Sequence, residues 1–181
     1  MMAETGIPPT SLTSAAVAIL AIADQAAKAT ASRRLTETWK AGGLDVGDSA
    51  PPRRPARPER PELRRPKEMP KRRAFGSSAG RIALLHALAH IELNAIDLAW
   101  DIVARFPCEP LPRAFFDDWV GVAAEEAIHF ELLAQRLADF GARYGDLPAH
   151  DGLWEAAAET AGDLLARLAS CRSCSKRAGL M

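Results

Sequence analysis

The sequence predicts an all-α fold, a bundle of long helices. Ala and Leu dominate, aromatic residues make up only 6% of the chain, and β-branched runs are nearly absent, a balance that favours helix over strand. Apolar residues recur every three or four positions in two long stretches, the period of a helix with one buried face. Proline falls between those stretches rather than inside them.

The elements follow in order. Residues 1–10 read as a flexible tail. Ser11 or Ser14 suits the cap of a first helix, which runs through an Ala-rich segment to about Trp39 and is closed by Gly42 and Gly43. With its exit, this N-terminal unit spans residues 11–44. Residues 45–76 form a Pro/Arg-rich segment. Pro51, Pro52, Pro55, Pro58, Pro61, Pro66 and Pro70 exclude a helix or a central strand, so an extended, polyproline-like strap is expected. Ser77 or Ser78 opens a second helix that ends before Pro107, and Pro110 and Pro112 hold the turn. A third helix runs from about Ala114 to Phe140 and is closed by Gly141. After a loop from Tyr144 to Pro148, Asp151 caps a fourth helix from near Trp154 to about Ser170. Its expected inner face is Trp154, Ala158, Ala161, Leu165 and Leu168. Residues 77–170 thus make the bundle, and 171–181 a tail outside it.

Composition narrows the setting. The formal net charge is zero, so no global field draws the chain to nucleic acid or membrane. Charge is unevenly spread, however. Ten Arg or Lys and three Glu lie between Pro51 and Arg73. The cysteines, Cys108, Cys171 and Cys174, are odd in number and form no regular framework, which argues against a secreted disulfide scaffold. The apolar run Ala15 to Ala23 is far too short to span a bilayer and lacks the basic lead-in of a signal peptide. A cytoplasmic protein without a membrane partner is expected.

The chemistry lies in two interrupted stripes. Ile82, Leu85, Ala89, Glu92, Ile96, Ala99 and Val103 fall on one face of the second helix. Trp119, Val122, Glu126, His129, Leu133 and Phe140 fall on one face of the third. A carboxylate inside an apolar stripe is costly to bury unless a cation neutralises it. Glu126 and His129 form an E-x-x-H pair. Three residues advance about 300° around a helix, so both side chains leave the same face. Glu92 from the antiparallel neighbour adds another oxygen donor. Oxygen ligands with one imidazole suit iron or manganese. A Glu on one helix with Glu-x-x-His on the next is half of a di-iron carboxylate site. Against this stands the ordinary reading, in which an isolated E-x-x-H lies on a solvated face.

Other polar groups admit two readings. His86 and His90, with Asn94, Asp97 and Asp101, lie off the Glu92 stripe and suit a polar face packed against the strap or the first helix. Alternatively His90 or Asp97 backs a metal ligand by hydrogen bonding. Glu125 points roughly 100° from Glu126 and is a flank residue or a further member of the site. The strap suits a solvated belt pairing with an acidic bundle surface. It suits RNA phosphates less well, because it lacks interleaved aromatics. Cys171-x-x-Cys174 has no second pair to complete a zinc site.

The strings Arg54-Pro55-Ala56-Arg57-Pro58-Glu59-Arg60-Pro61, Gly80 to Ala87, His90 to Leu98, Glu125 to Phe130 and Tyr144 to Trp154 resemble a bacterial ferritin-like family of unknown function. The resemblance covers about Ser11 to Ala169. It implies an incomplete ferritin-like bundle carrying a di-iron centre of iron or manganese. It assigns Glu92, Glu126 and His129 to the first half of the metal site. It also implies an O2-dependent oxidase or hydroxylase ancestry, similar in layout to di-iron proteins that include a tRNA hydroxylase. After Ala169 the chain departs from that pattern, where relatives add a further helix with a second E-x-x-H. This implies a frameshifted or truncated product, inactive as an oxidoreductase, with an aberrant tail at 171–181. An exposed bundle face then favours a homodimer, in which two chains pool half-sites across a twofold axis. A non-catalytic helical interaction protein using the basic strap is the alternative.

Overall fold

In a computed structural model the described residues are 10–69 and 76–170, and all their regular structure is helical. The helices are α1 (Leu12–Leu20), α2 (Gln25–Lys40), α3 (Ser78–Arg105), α4 (Arg113–Asp139) and α5 (Gly152–Glu159), with one 3-10 turn at Pro66–Glu68. Residues 164–170 are helical again. Two isolated bridges, Ser11 with Asp45 and Leu63 with Ala149, replace strands among the described residues.

The hairpin of α3 and α4 is the frame. Its ends follow the sequence signals. Ser77 caps α3, its side chain accepting from the Gly80 amide, and the helix stops at Arg105, two residues before Pro107. Pro112 precedes α4, and Gly141, at φ +72°, lies just beyond its end. Such a left-handed turn favours glycine. α1 packs on α3 and α2 on α4, so this pair covers one side of the hairpin. Leu12, Ala16, Leu20, Ala89, Ile96, Trp100, Ala123, Ala127 and Leu137 fill a dry interior between them. Two tryptophan N–H groups find acceptors inside: Trp100 donates to Ser32 Oγ at 2.8 Å and Trp39 to Asp117 at 2.7 Å.

Two expected helices are broken. The N-terminal helix is two, because Asp24 caps a fresh start: its carboxylate accepts from the Ala27 amide at 2.7 Å. The fourth helix stops at Glu159 and restarts after Asp163, whose side chain accepts from the Ala166 amide. This rotates the expected inner face. Trp154 and Ala157 are buried, whereas Ala158 is exposed and Leu165 is 78% exposed. Asp151 precedes α5 but its side chain accepts no cap bond; its carboxylate pairs with Arg54 instead.

The strap is extended from Asp45 to Arg65, as its prolines require, and is tied to the bundle at several points; its residues 70–75, with Pro70, lie outside the described residues. Its start lies against α1, where Asp45 and Val46 carbonyls accept from the Leu12 and Thr13 amides at 2.8 and 3.0 Å. Ser11 completes that helix start with a capping box shared with Ser14. The Ala56 amide reaches the Leu20 carbonyl at 2.7 Å, and Arg64 and Ala149 bond through their backbones at 2.8 Å. The expected C-terminal tail, with Cys171 and Cys174, lies outside the described residues, as do residues 1–9 of the expected N-terminal tail.

Candidate metal centre

Glu92 on α3 and Glu126 and His129 on α4 come together. One ligand atom from each lies within 4.8 Å of the others. The hairpin brings them together as antiparallel neighbours, but the expected stripe of α4 is not its core face: Phe116, Val120, Ala123, Ala127, Phe130 and Leu137 are buried instead, and Glu126 and His129 stand on the partly exposed flank beside them. Glu126 stands between the other two. His129 Nδ1 lies 3.1 Å from Glu126 Oε2, and the Glu92 and Glu126 carboxyls hydrogen-bond each other. Partial burial, then that hydrogen bond and the charge on Glu126, push the Glu92 carboxyl up to about 8. At neutral pH this leaves Glu92 holding its proton beside Glu126. Among the described residues no Lys or Arg pairs with either. The side chains are reachable from solvent, with Glu126 at 23% and His129 at 53% exposure.

The donor set fits a divalent ion. Two carboxylates and an imidazole suit iron or manganese, and a cation bound there would displace the proton on Glu92.

The neighbouring polar face is a separate structure. His90 Nδ1 lies 2.8 Å from the Tyr144 hydroxyl and its Nε2 3.0 Å from the His150 carbonyl oxygen. Burial holds its imidazole down at about 4, so it is neutral. His86 Nε2 accepts from the Gly145 amide at 2.9 Å. Asp97, fully buried, meets Lys28 Nζ of α2 at 2.6 Å and Arg57 Nη2 of the strap at 3.0 Å. Arg57 also donates to Asn94 Oδ1 at 2.7 Å, and Lys28 to the Ala56 carbonyl at 3.0 Å. Asp101 is held by Arg105 and by Arg167, itself buried. His90 and Asp97 therefore bond the loop, α2 and the strap rather than a member of the triad. Glu125 is exposed. The polar face packs against the strap and the N-terminal helices, the first of the two readings of the sequence. Sequence reasoning had no place for Lys28, Arg57, Tyr144 and Arg167. Only a lysine in an Ala-rich helix and an arginine in a proline run hinted at buried cations.

By length and composition α3 is apolar enough to cross a membrane. Half of its apolar window is buried inside the bundle, however, and Asp97 and Asp101 meet the chain's own cations.

Fold and site together describe a helical bundle protein with a carboxylate–imidazole triad on the seam of its central hairpin. The chain belongs to the family described as "Protein of unknown function (DUF455)", whose profile matches residues 21–180. That match runs past Ala169, where the resemblance noted above ends. Among curated proteins the chain is similar to an uncharacterized protein of Haemophilus influenzae, 48% identical over 116 residues, which cover 61% of this chain and 40% of that protein. The chain thus spans about two fifths of the curated relative it matches. No solved structure matches.

Proposed function

We propose that Glu92, Glu126 and His129 are one half of a di-iron carboxylate centre in a ferritin-like bundle of oxidase or hydroxylase ancestry. The observation that carries this reading is the convergence of three metal-type donors within 4.8 Å on a seam otherwise apolar. Glu126, bonded to both other members, is the donor placed to be shared, and Glu92 and His129 are terminal. Iron, or manganese in its place, would supply redox chemistry toward O2. The chain's part is to hold that ion with two carboxylates on adjacent helices, to release the proton on Glu92 as the ion enters, and to keep one side open to solvent.

The basic strap speaks less for a contact surface. Arg57 turns into the interior, and Arg54 and Arg64 pair with Asp151 and Glu62.

The test is direct. Anaerobic titration of the chelator-stripped protein with Fe(II) should load the wild type, while Glu92→Ala and Glu126→Ala should bind at least tenfold more weakly. Circular dichroism checks that both variants remain helical. Iron binding equal in all three proteins would remove the proposal.

A further inference from the structure

We infer that the cleft between the strap and α3 binds a small carboxylate, held by the Arg57 guanidinium. None of the residues that line it belongs to the triad, and no metal is needed.

Arg57 is the reason. Its side chain is only 13% exposed, yet it is only partly engaged. Nη2 donates to Asn94 Oδ1 at 2.7 Å and lies 3.0 Å from Asp97 Oδ2. Nε and Nη1 are buried and meet no acceptor among the described residues. Buried donors of a charged group are costly to leave unfilled. Charge points the same way. Asp97 is the carboxylate that Lys28 and Arg57 share. The next acid on the helix, Asp101, is already held by Arg105 and Arg167. With two cations to one carboxylate, the cell of Lys28, Arg57 and Asp97 carries one positive charge in excess. A monovalent anion beside Arg57 balances that charge where little water does so.

The cleft decides what kind of anion. It is lined by Arg57, Pro58, Pro61 and Leu63 of the strap, His90 of α3 and Tyr144 of the loop after α4. It is partly open to solvent and has room inside for about one water-sized group. His90 adds no donor. The His150 carbonyl can only accept, so the proton of the neutral imidazole sits on Nε2, and Nδ1 accepts from the Tyr144 hydroxyl at 2.8 Å. The guanidinium is left as the free side-chain donor of the wall. A phosphate would bring more oxygens and more charge than this wall can meet. A carboxylate brings a single charge, and Pro58, Pro61 and Leu63 suit a short alkyl tail.

Tyr144 is the only tyrosine of the chain, so its ring gives the cleft its own NMR signal. The full chain, made with isotope-labelled tyrosine and kept in EDTA so that no metal offers a second carboxylate site, is titrated with sodium acetate. Ionic strength is held constant with sodium chloride, and sodium phosphate is a parallel arm. The expected result is a Tyr144 signal that moves along a saturating curve with acetate and stays in place with phosphate and with chloride alone. Arg57→Lys keeps the charge but loses the planar array of donors and should weaken acetate about tenfold or more. Because Arg57 is tied into the ionic cell, a second variant leaves that cell intact. Leu63→Trp, at the one exposed residue of the lining, should fill the cleft, keep helical circular dichroism and abolish the response. A signal unmoved by acetate means that water alone occupies the cleft, and it overturns the inference. A shift that phosphate or chloride matches overturns it too, as does an acetate response unchanged in either variant.

Discussion

Asp97→Asn asks whether the buried ionic cell is held by charge or by shape. Asp97 has no solvent exposure and lies 2.6 Å from Lys28 Nζ and 3.0 Å from Arg57 Nη2. Asparagine keeps the volume and one acceptor oxygen but removes the negative charge. Two cations are then left in a site nearly without water, Lys28 at 1% and Arg57 at 13% exposure. Breaking a buried pair from one side costs about 3–5 kcal/mol. Burial already depresses the Lys28 ammonium, against the opposing pull of Asp97. Without that pull Lys28 can shed its proton and relieve part of the strain, so a loss near the lower figure, about 3 kcal/mol, is expected at pH 7. That is a large share of the roughly 5–15 kcal/mol that holds an ordinary domain together. Urea unfolding followed by helical circular dichroism measures it as a lower midpoint at constant slope. Adding Lys28→Met to Asp97→Asn should recover more than half the loss. A loss under about 1 kcal/mol, or a double variant no steadier than the single one, would refute the charge argument.

Two other outcomes are expected. His90 is held neutral in the fold by burial, near a pKa of about 4, against an ordinary 6.5. The unfolded chain takes up its proton first, so the contribution is complete above pH 6.5 and is lost as the pH falls toward 4, by up to about 3 kcal/mol. Stability measured at pH 7 and pH 4.5 should therefore fall less in His90→Asn than in the wild type; equal falls would contradict it. Gly47 sits at φ +72°, and a Cβ there would meet the Ser11 side chain at 2.3 Å. Gly47→Ala should cost about 2 kcal/mol or more, combining left-handed strain with damage to the α1 cap. In Gly43→Ala the nearest atom lies at 3.7 Å, and the melting temperature should barely move.

Local signals carried most of the frame. The period of three and four residues located α3 and α4, and Ser77, Pro107, Pro112 and Gly141 marked their ends. The strap followed from its prolines. Helix breaks were less legible, because Ala21, Ile22 and Ala23 favour helix and only the side chain of Asp24 restarts the count. The same holds for Thr160 to Asp163. Spacing placed Glu92, Glu126 and His129 together, since two adjacent helices and a short turn leave little freedom. It could not pair Lys28 with Asp97 or Arg167 with Asp101. Those partners lie 69 and 66 positions apart, and which helix meets which is decided by packing rather than by local pattern.

α3 sorts its acids by side. Asp97 and Asp101 are already matched by a lysine and by arginines of the same polypeptide, so a stray ion in the medium has nothing to gain there. Glu92, one turn earlier, has no such internal match. On the metal reading proposed above, a cation would find Asp97 and Asp101 already neutralised and Glu92 the one acid of α3 still open to it.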